Sequence, residues 1–221
     1  MSETSRFIAS LQSLSEKLVQ MSSLLSTLTE RLRTNELDLD HVANEITEIG
    51  KTFSLTFEQV AQEIMEAEFL NVNPSYLLDV ARHMDLICSL IERCALLFSY
   101  ARHIQEDEVF ELVITATSEL NQITIEFAEC LKSVAGDRHR VMELCDSISK
   151  REKALKATSE SLNMYATQEM TAYEYKPQLR ELFDYYAQIR VLSRDLTITF
   201  RVLALKLERQ RLLNVKAVRP T

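Results

Sequence analysis

The sequence predicts an all-α protein of six long helices, built as two tandem three-helix units. Three observations carry that prediction. Two glycines and three prolines in 221 residues leave little material for hairpin turns or glycine bulges. An all-β or doubly wound α/β chain of this length would need many more of both. Apolar residues make up 46% of the chain, and over long stretches they recur at steps of three and four, the spacing of one helix face. Finally, a single offset of 102 residues lays the apolar pattern of the first half onto the second. An offset that holds across several helices and their connections marks an internal repeat.

The first helix is predicted from about Glu3 to Arg33, on the seam Ile8, Leu11, Leu14, Leu18, Met21, Leu25, Leu28 and Leu32. Asn35 ends it, and Asp38 or Asp40 is a candidate cap for the next. The second helix carries Val42, Ile46, Ile49, Phe53, Phe57, Val60 and Ile64 and stops near the segment FLNVNPS. Asn73 is placed to cap the third. Pro74 then takes the first helical position, where its missing N–H costs nothing. The third seam is Leu77, Val80, Met84, Ile87, Ile91, Cys94 and Phe98.

Adding 102 to the first seam gives Phe110, Val113, Ala116, Leu120, Ile123, Phe127, Cys130 and Val134, all apolar. Ile46, Phe53 and Val60 map to Ile148, Leu155 and Leu162. Leu77, Val80, Met84, Ile87, Cys94 and Phe98 map to Leu179, Leu182, Tyr186, Ile189, Leu196 and Phe200. Gly136 is expected to take the left-handed conformation after helix four, with Asp137 capping helix five. Helix six is expected to run to about Leu213. Gly50, inside helix two, has no explanation in the sequence. The division that follows is a first unit at 1–104, a second at 105–214, and a flexible tail at 215–221.

The charge distribution narrows the function. A net charge of −8 argues against nucleic-acid binding. Residues 35–70 carry −8 and residues 105–135 carry −6, whereas residues 175–221 carry +6. The C-terminal helix is thus a basic element on an acidic protein. There is no run of 18 apolar residues and no signal-peptide plan at the N-terminus, so a cytoplasmic location is expected. The four cysteines, Cys88, Cys94, Cys130 and Cys145, fall inside helical patterns without metal spacing and read as small buried hydrophobes.

No phosphate loop, nucleophile elbow, HExxH or dinucleotide turn is present. No catalytic residue and no cofactor is expected. His41 has Glu45 and Glu48 at helical spacing, which could set three ligands on one face; the three read first as a solvated cap region. His83 reads as half-buried packing, while His103 and His139 lie by helix ends. Tyr173, Tyr175, Tyr185 and Tyr186 read as core and interface at the start of helix six. Asp85 with Glu92, and Glu181 with Asp184, are the residual metal candidates, although a multi-metal site needs reinforcing carboxylates on helices two and five. Arg201, Lys206, Arg209, Arg211 and Lys216 form a candidate partner-binding end on helix six, beside Leu203, Leu205, Leu207, Leu212 and Leu213. The helix macrodipole explains cations in the last turn only.

This layout resembles the PhoU-like proteins, specifically the branch of accessory proteins associated with Pit-type phosphate permeases. The resemblance is carried by PSYLLDVARHMDLICSLIERCALLF, residues 74–98, which keeps FLNVNP before it and then Met84, Asp85 and Glu92. The stretch YKPQLRELFDYYAQIRVLSRDL resembles the family's last helix in apolar pattern. It implies two three-helix units and a non-enzymatic adaptor or regulator of inorganic phosphate transport. The implied partner is a permease or another membrane-associated protein, which would place the chain at the inner membrane. A homo-oligomer is also implied as an option. The family's iron or zinc clusters need carboxylates spaced four apart. Here Lys51, Leu55, Leu86, Ser89, Ser149, Lys153, Phe183 and Ala187 stand where those would fall, so the resemblance implies a scaffold with degenerate metal motifs. The rival readings are a structural or chaperone-like helical protein unrelated to phosphate, and a metal-carboxylate enzyme.

Overall fold

A computed structural model describes residues 3–34, 39–67, 72–100, 107–167 and 176–217. Six helices account for them: α1 (Glu3–Arg33), α2 (Leu39–Glu66), α3 (Pro74–Tyr100), α4 (Asp107–Ser133), α5 (Arg138–Thr167) and α6 (Lys176–Ala217). Among the described residues there is no strand. The two third helices, α3 and α6, begin 102 residues apart.

The helix starts follow capping chemistry where their caps are described. Asn73 caps α3: its side-chain oxygen accepts from the Ser75 amide at 3.0 Å. Pro74 follows as the first helical residue. Asp137 caps α5 by accepting from the Arg140 amide at 2.9 Å. Asp40 is not a cap, because α2 already starts at Leu39; Asn35 and Asp38 lie outside the described residues. Gly136 is a correction to the sequence reading. Its φ falls outside the left-handed region. The chain instead leaves α4 through a tight turn in which the Gly136 and Asp137 amides both donate to the Ser133 carbonyl, at 3.0 and 2.8 Å. α6 runs to Ala217, four residues past the expected end, since nothing in the Leu-Asn-Val-Lys stretch breaks a helix.

The seams predicted from the sequence are the core. Every residue of the α1 and α3 seams is buried, as are the counterparts at the 102 offset, apart from the partly buried Phe110. On α2, Ile49 and Phe57 are partly buried and pack against the core. The buried side chains of all six helices form one continuous apolar cluster. The four cysteines are free and buried within it; burial alone pushes the Cys94 thiol up to about 12.

α1 and α4 pack antiparallel at the centre. Gln12, early in α1, donates to the Leu131 carbonyl, late in α4, at 3.0 Å. At the other end, Arg33 pairs with Glu111 at 3.1 Å. α3 and α6 also lie side by side in opposite directions. Val72 and Tyr76, at the start of α3, face Lys206, Arg209 and Leu213 near the end of α6. Leu86–Arg93 of α3 faces Asp184–Leu192 of α6.

Candidate functional site

Three places on this frame carry polar chemistry. The first is the contact between α2 and α3, where the sequence placed Asp85 and Glu92. Both side chains are half-buried. Glu92 lies directly over Gly50 of α2: a Cβ built there would overlap the Glu92 carboxylate. This is the physical reason for Gly50, which the sequence alone could not supply. Burial, then the repulsion of Glu58, holds the Asp85 carboxyl above the usual carboxylate range. Glu92 is raised as well, by burial and then by Asp85, with the Lys51 ammonium opposing. Glu58 on α2 is thus an acid facing Asp85 that the sequence reading missed.

The equivalent place in the second half has the charge on the other helix. Glu152 of α5 occupies the position 102 residues after Gly50, and Arg194 of α6 the position 102 after Glu92. Glu152 is 8% exposed. Burial raises its pKa, and the attraction of Arg194 opposes that most strongly, with Thr197, Arg190 and Arg201 adding to it. Thr197 Oγ1 sits 3.5 Å from a Glu152 oxygen and makes its shorter bond, 2.7 Å, to the Ser193 carbonyl. A single buried acid among arginines is a structural arrangement. It lacks the several carboxylates that a metal cluster requires.

The remaining metal candidates, Glu181 and Asp184, lie on α6, both exposed at the helix surface. Among the described residues no three of His, Cys, Asp and Glu converge to hold a metal ion. Where the resemblance calls for carboxylates, Lys51 and Lys153 are exposed, Leu55 is 62% exposed, and Phe183 and Ala187 are half-buried. These side chains do not fit a bridging metal site, and Lys51 places a positive charge where a cation would sit. His41, Glu45 and Glu48 lie at the surface, and Glu48 is engaged by Lys51 at 2.6 Å. His83 Nδ1 lies 2.6 Å from the Asp79 carbonyl, and His139 pairs with Glu143 at 3.4 Å. Tyr186 is fully buried, its hydroxyl 2.9 Å from that of Thr117. Tyr173, Tyr175 and His103 lie outside the described residues.

The second place is the basic end of α6. The structure distributes Arg201, Lys206, Arg209 and Arg211 among different surroundings instead of gathering them. Arg201 is half-buried and bonded to Asp146 of α5 at 2.7 Å. Arg211 donates to the Gly136 carbonyl at 3.4 Å. Lys206 and Arg209 are exposed and line a shallow groove with Val72, Asn73 and Tyr76. The Lys216 side chain lies outside the described residues. Of the leucines beside them, Leu203 is fully buried, Leu207 is partly buried, and Leu205, Leu212 and Leu213 are exposed.

The third place is a surface groove of about 500 Å³ between α3 and α6, floored by Leu86, Leu90, Ala187 and Leu192 and edged by Arg93, Asp184 and Arg190. Nothing in the sequence singled it out, because it is made by two helices about a hundred residues apart.

A solved structure shares this arrangement of helices. A crystal structure from Shewanella oneidensis MR-1, described as a PhoU-like phosphate regulatory protein, superposes with a TM-score of 0.60 at 15% sequence identity, covering 92% of this chain and 99% of that one. The fold is PhoU-like. No protein-family model matches the sequence, and no curated protein matches it. The likeness therefore extends to the PhoU-like fold and not to the permease-associated branch of it. Among the described residues, no helix is long and apolar enough to cross a membrane.

Proposed function

We propose that this chain is a non-enzymatic, cytoplasmic helical regulator of inorganic phosphate transport that acts by contact with a permease or its regulator. The observation that carries the reading is the end-to-end likeness to a PhoU-like protein described as phosphate regulatory, spanning nearly the whole of both chains. The site chemistry supports contact over catalysis. Lysine, leucine, phenylalanine and alanine stand at the positions where bridging carboxylates would be needed, and the exposed cations Lys206, Arg209 and Arg211 lie at one end of the longest helix. Near an anionic surface or an acidic loop each such cation contributes roughly 1 kcal/mol. The family's accessory branch, and a place at the inner membrane, belong to this proposal.

The test is phosphate uptake in the native cell with the chain deleted, restored, or restored as a Lys206→Glu, Arg211→Glu variant. Altered uptake on deletion, restored by the wild type and not by the variant, supports the reading. Uptake indifferent to deletion at both low and high external phosphate overturns it in favour of a structural helical protein unrelated to phosphate.

A further inference from the structure

Where α4, α5 and α6 meet, the second half of the repeat buries polar groups that the first half does without. Cys130 of α4 and Cys145 of α5 are both fully buried, and their thiols are hydrogen-bonded to one another. At the 102 offset the same positions are Leu28 and Ala43, also buried. A small buried cysteine is by default packing. Cys88 and Cys94 fit that reading, since burial pushes both thiols up, Cys94 to about 12. Cys145 does not fit it. Arg201 of α6 reaches Cys145, and the Arg201 Nε–H is buried without a hydrogen-bond partner. Only Nη2 of that guanidinium is held, by Asp146 at 2.7 Å. A neutral thiol is a weak acceptor for such a donor, whereas a thiolate makes a charge-assisted bond.

We infer that Cys130 and Cys145 are a redox pair, which hydrogen peroxide converts to a disulfide between α4 and α5, with Cys145 as nucleophile and Cys130 as resolving thiol. The surrounding groups assign the roles. Cys145 is drawn below the ordinary thiol range by the hydrogen bond from Cys130 first and then by Arg201, against burial and the Asp146 carboxylate. Cys130 is held above that range by the same hydrogen bond, by burial and by Glu126, with Arg140 opposing. A neutral Cys145 donates to the Thr197 carbonyl at 3.6 Å, a weak bond that ionisation gives up. The Cys145 thiolate attacks one peroxide oxygen: an S–O bond forms, the O–O bond breaks and hydroxide leaves. Cys130 then attacks the sulfenic sulfur. The S–S bond forms, the S–O bond breaks, and the Cys130 proton leaves with the hydroxyl as water. The sulfurs are oxidised and the peroxide is reduced. A dithiol reductant reverses the bond by exchange and ends as its own disulfide. Access suits a small oxidant. A cavity of about 50 Å³ opens between the α4–α5 turn and α6, and Val134 and Ala204 on its wall lie one helical turn from Cys130 and Arg201. That is room for a molecule little larger than water and not for a peptide disulfide. No step draws on the phosphate reading, so the two stand or fall separately.

Thiol counting and peptide mapping of the folded chain, treated with hydrogen peroxide at neutral pH, test it. Two of the four free thiols are expected to disappear into a linked Cys130–Cys145 peptide, with Cys88 and Cys94 left as thiols, and dithiothreitol is expected to restore all four. In Cys130→Ser a sulfenic acid is expected to accumulate at Cys145, where dimedone captures it; Cys145→Ser is expected to give neither product. Arg201→Gln, with its helical signal intact, is expected to slow the oxidation ~10-fold at neutral pH, the thiolate fraction of one pKa unit, and to match the wild type in alkali. An arginine that only holds α6 to α5 would leave the pH profile unchanged. Four thiols that react alike, or that react only in denaturant, overturn the inference. So does dimedone capture at Cys130, or oxidation of Arg201→Gln at the wild-type rate at neutral pH.

Discussion

The hydroxyls of Ser22 and Thr124 lie 2.7 Å apart, buried where α1 crosses α4, and the two residues are separated in sequence by 102 positions. They are therefore the same position of the internal repeat, touching itself. A residue meets its own repeat image only close to the axis that relates the two halves. The contacts at either side agree: Gln12 with Leu131 and Arg33 with Glu111 are spaced as two antiparallel helices pivoting on Ser22 and Thr124 would space them. Asn121 joins this centre by accepting from both Ser22 and Ser23. The repeat thus does more than duplicate a unit. It builds the seam on which the two copies meet.

That seam leads to a first expectation. Leu18 and Leu120 are repeat images, both fully buried and both one helical turn from the Ser22–Thr124 contact. Leu18→Ala and Leu120→Ala are each expected to cost ~2–5 kcal/mol, the range for a buried leucine truncated to alanine. Because all six helices share one core, each substitution should lower the urea midpoint of the whole helical signal in a single transition. A loss below ~1 kcal/mol, the scale of surface changes, would mean that these seams face solvent.

Gly50 and Glu92 form a coupled pair. Adding a Cβ at Gly50 gains up to ~1 kcal/mol of helix propensity, but it displaces the Glu92 carboxylate that lies over that position. Gly50→Ala is expected to stabilise the protein more in a Glu92→Ala background than in the wild type. The coupling expected from a denaturant double-mutant cycle is ~0.5–1 kcal/mol, at the lower end for residues in contact. Additive effects would show that Glu92 swings aside at no cost.

Gly136 is expected to behave differently. Its φ is not left-handed and nothing lies within 4 Å of a Cβ built on it. Gly136→Ala should therefore stabilise by ~0.4–1 kcal/mol through the entropy of the unfolded chain. Destabilisation in thermal unfolding would show that the turn needs the glycine after all.

The elements were legible in the sequence because each depends on residues near one another. Asn73 and Pro74 mark a helix start by themselves, and a seam such as Ile8 to Leu32 needs only its own period. What depended on partners across the fold was not legible. Gly50 makes sense only once Glu92 of another helix is placed above it. In the first half, Leu24 of α1 and Ile49 of α2 pack against the core, while Lys17 donates to the Thr52 carbonyl and the Thr56 hydroxyl. In the second half the positions of Leu24, Ile49 and Lys17 hold Glu126, Arg151 and Glu119, with Arg151 bonded to the two acids at 2.9 and 3.1 Å. An offset that compares apolar residues cannot see an apolar pair replaced by an ion pair. The basic end of α6 looked like one patch because Arg201 and Arg211 are near Arg209 in sequence, yet each is bonded to a different element.

The α2–α3 acids give a pH dependence with a definite sign. Asp85 and Glu92 both have carboxyl pKa values raised in the folded state, by burial first and then by a neighbouring acid, Glu58 for Asp85 and Asp85 for Glu92. Lys51 acts against the shift at Glu92 without reversing it. For an acid with a raised folded pKa, the folded state holds its proton more tightly than the unfolded state does. The stabilisation is fully present below the unfolded pKa, about 4 for Asp and Glu, and is lost as pH rises through the folded value. Glu92→Gln keeps the shape and removes the charge, so it is expected to be more stable than the wild type at neutral pH. The difference should shrink as pH falls through the carboxylate range and vanish once both groups are protonated. Urea midpoints of the two proteins across that range check it, and the difference between them cancels the titration of every other carboxylate. Asp85→Asn should follow the same course, since its neighbour Glu58 repels it and Lys51 is not among the groups acting on it. A Glu92→Gln protein less stable than the wild type at neutral pH would show that the attraction of Lys51 outweighs burial, and the sign would then be the reverse.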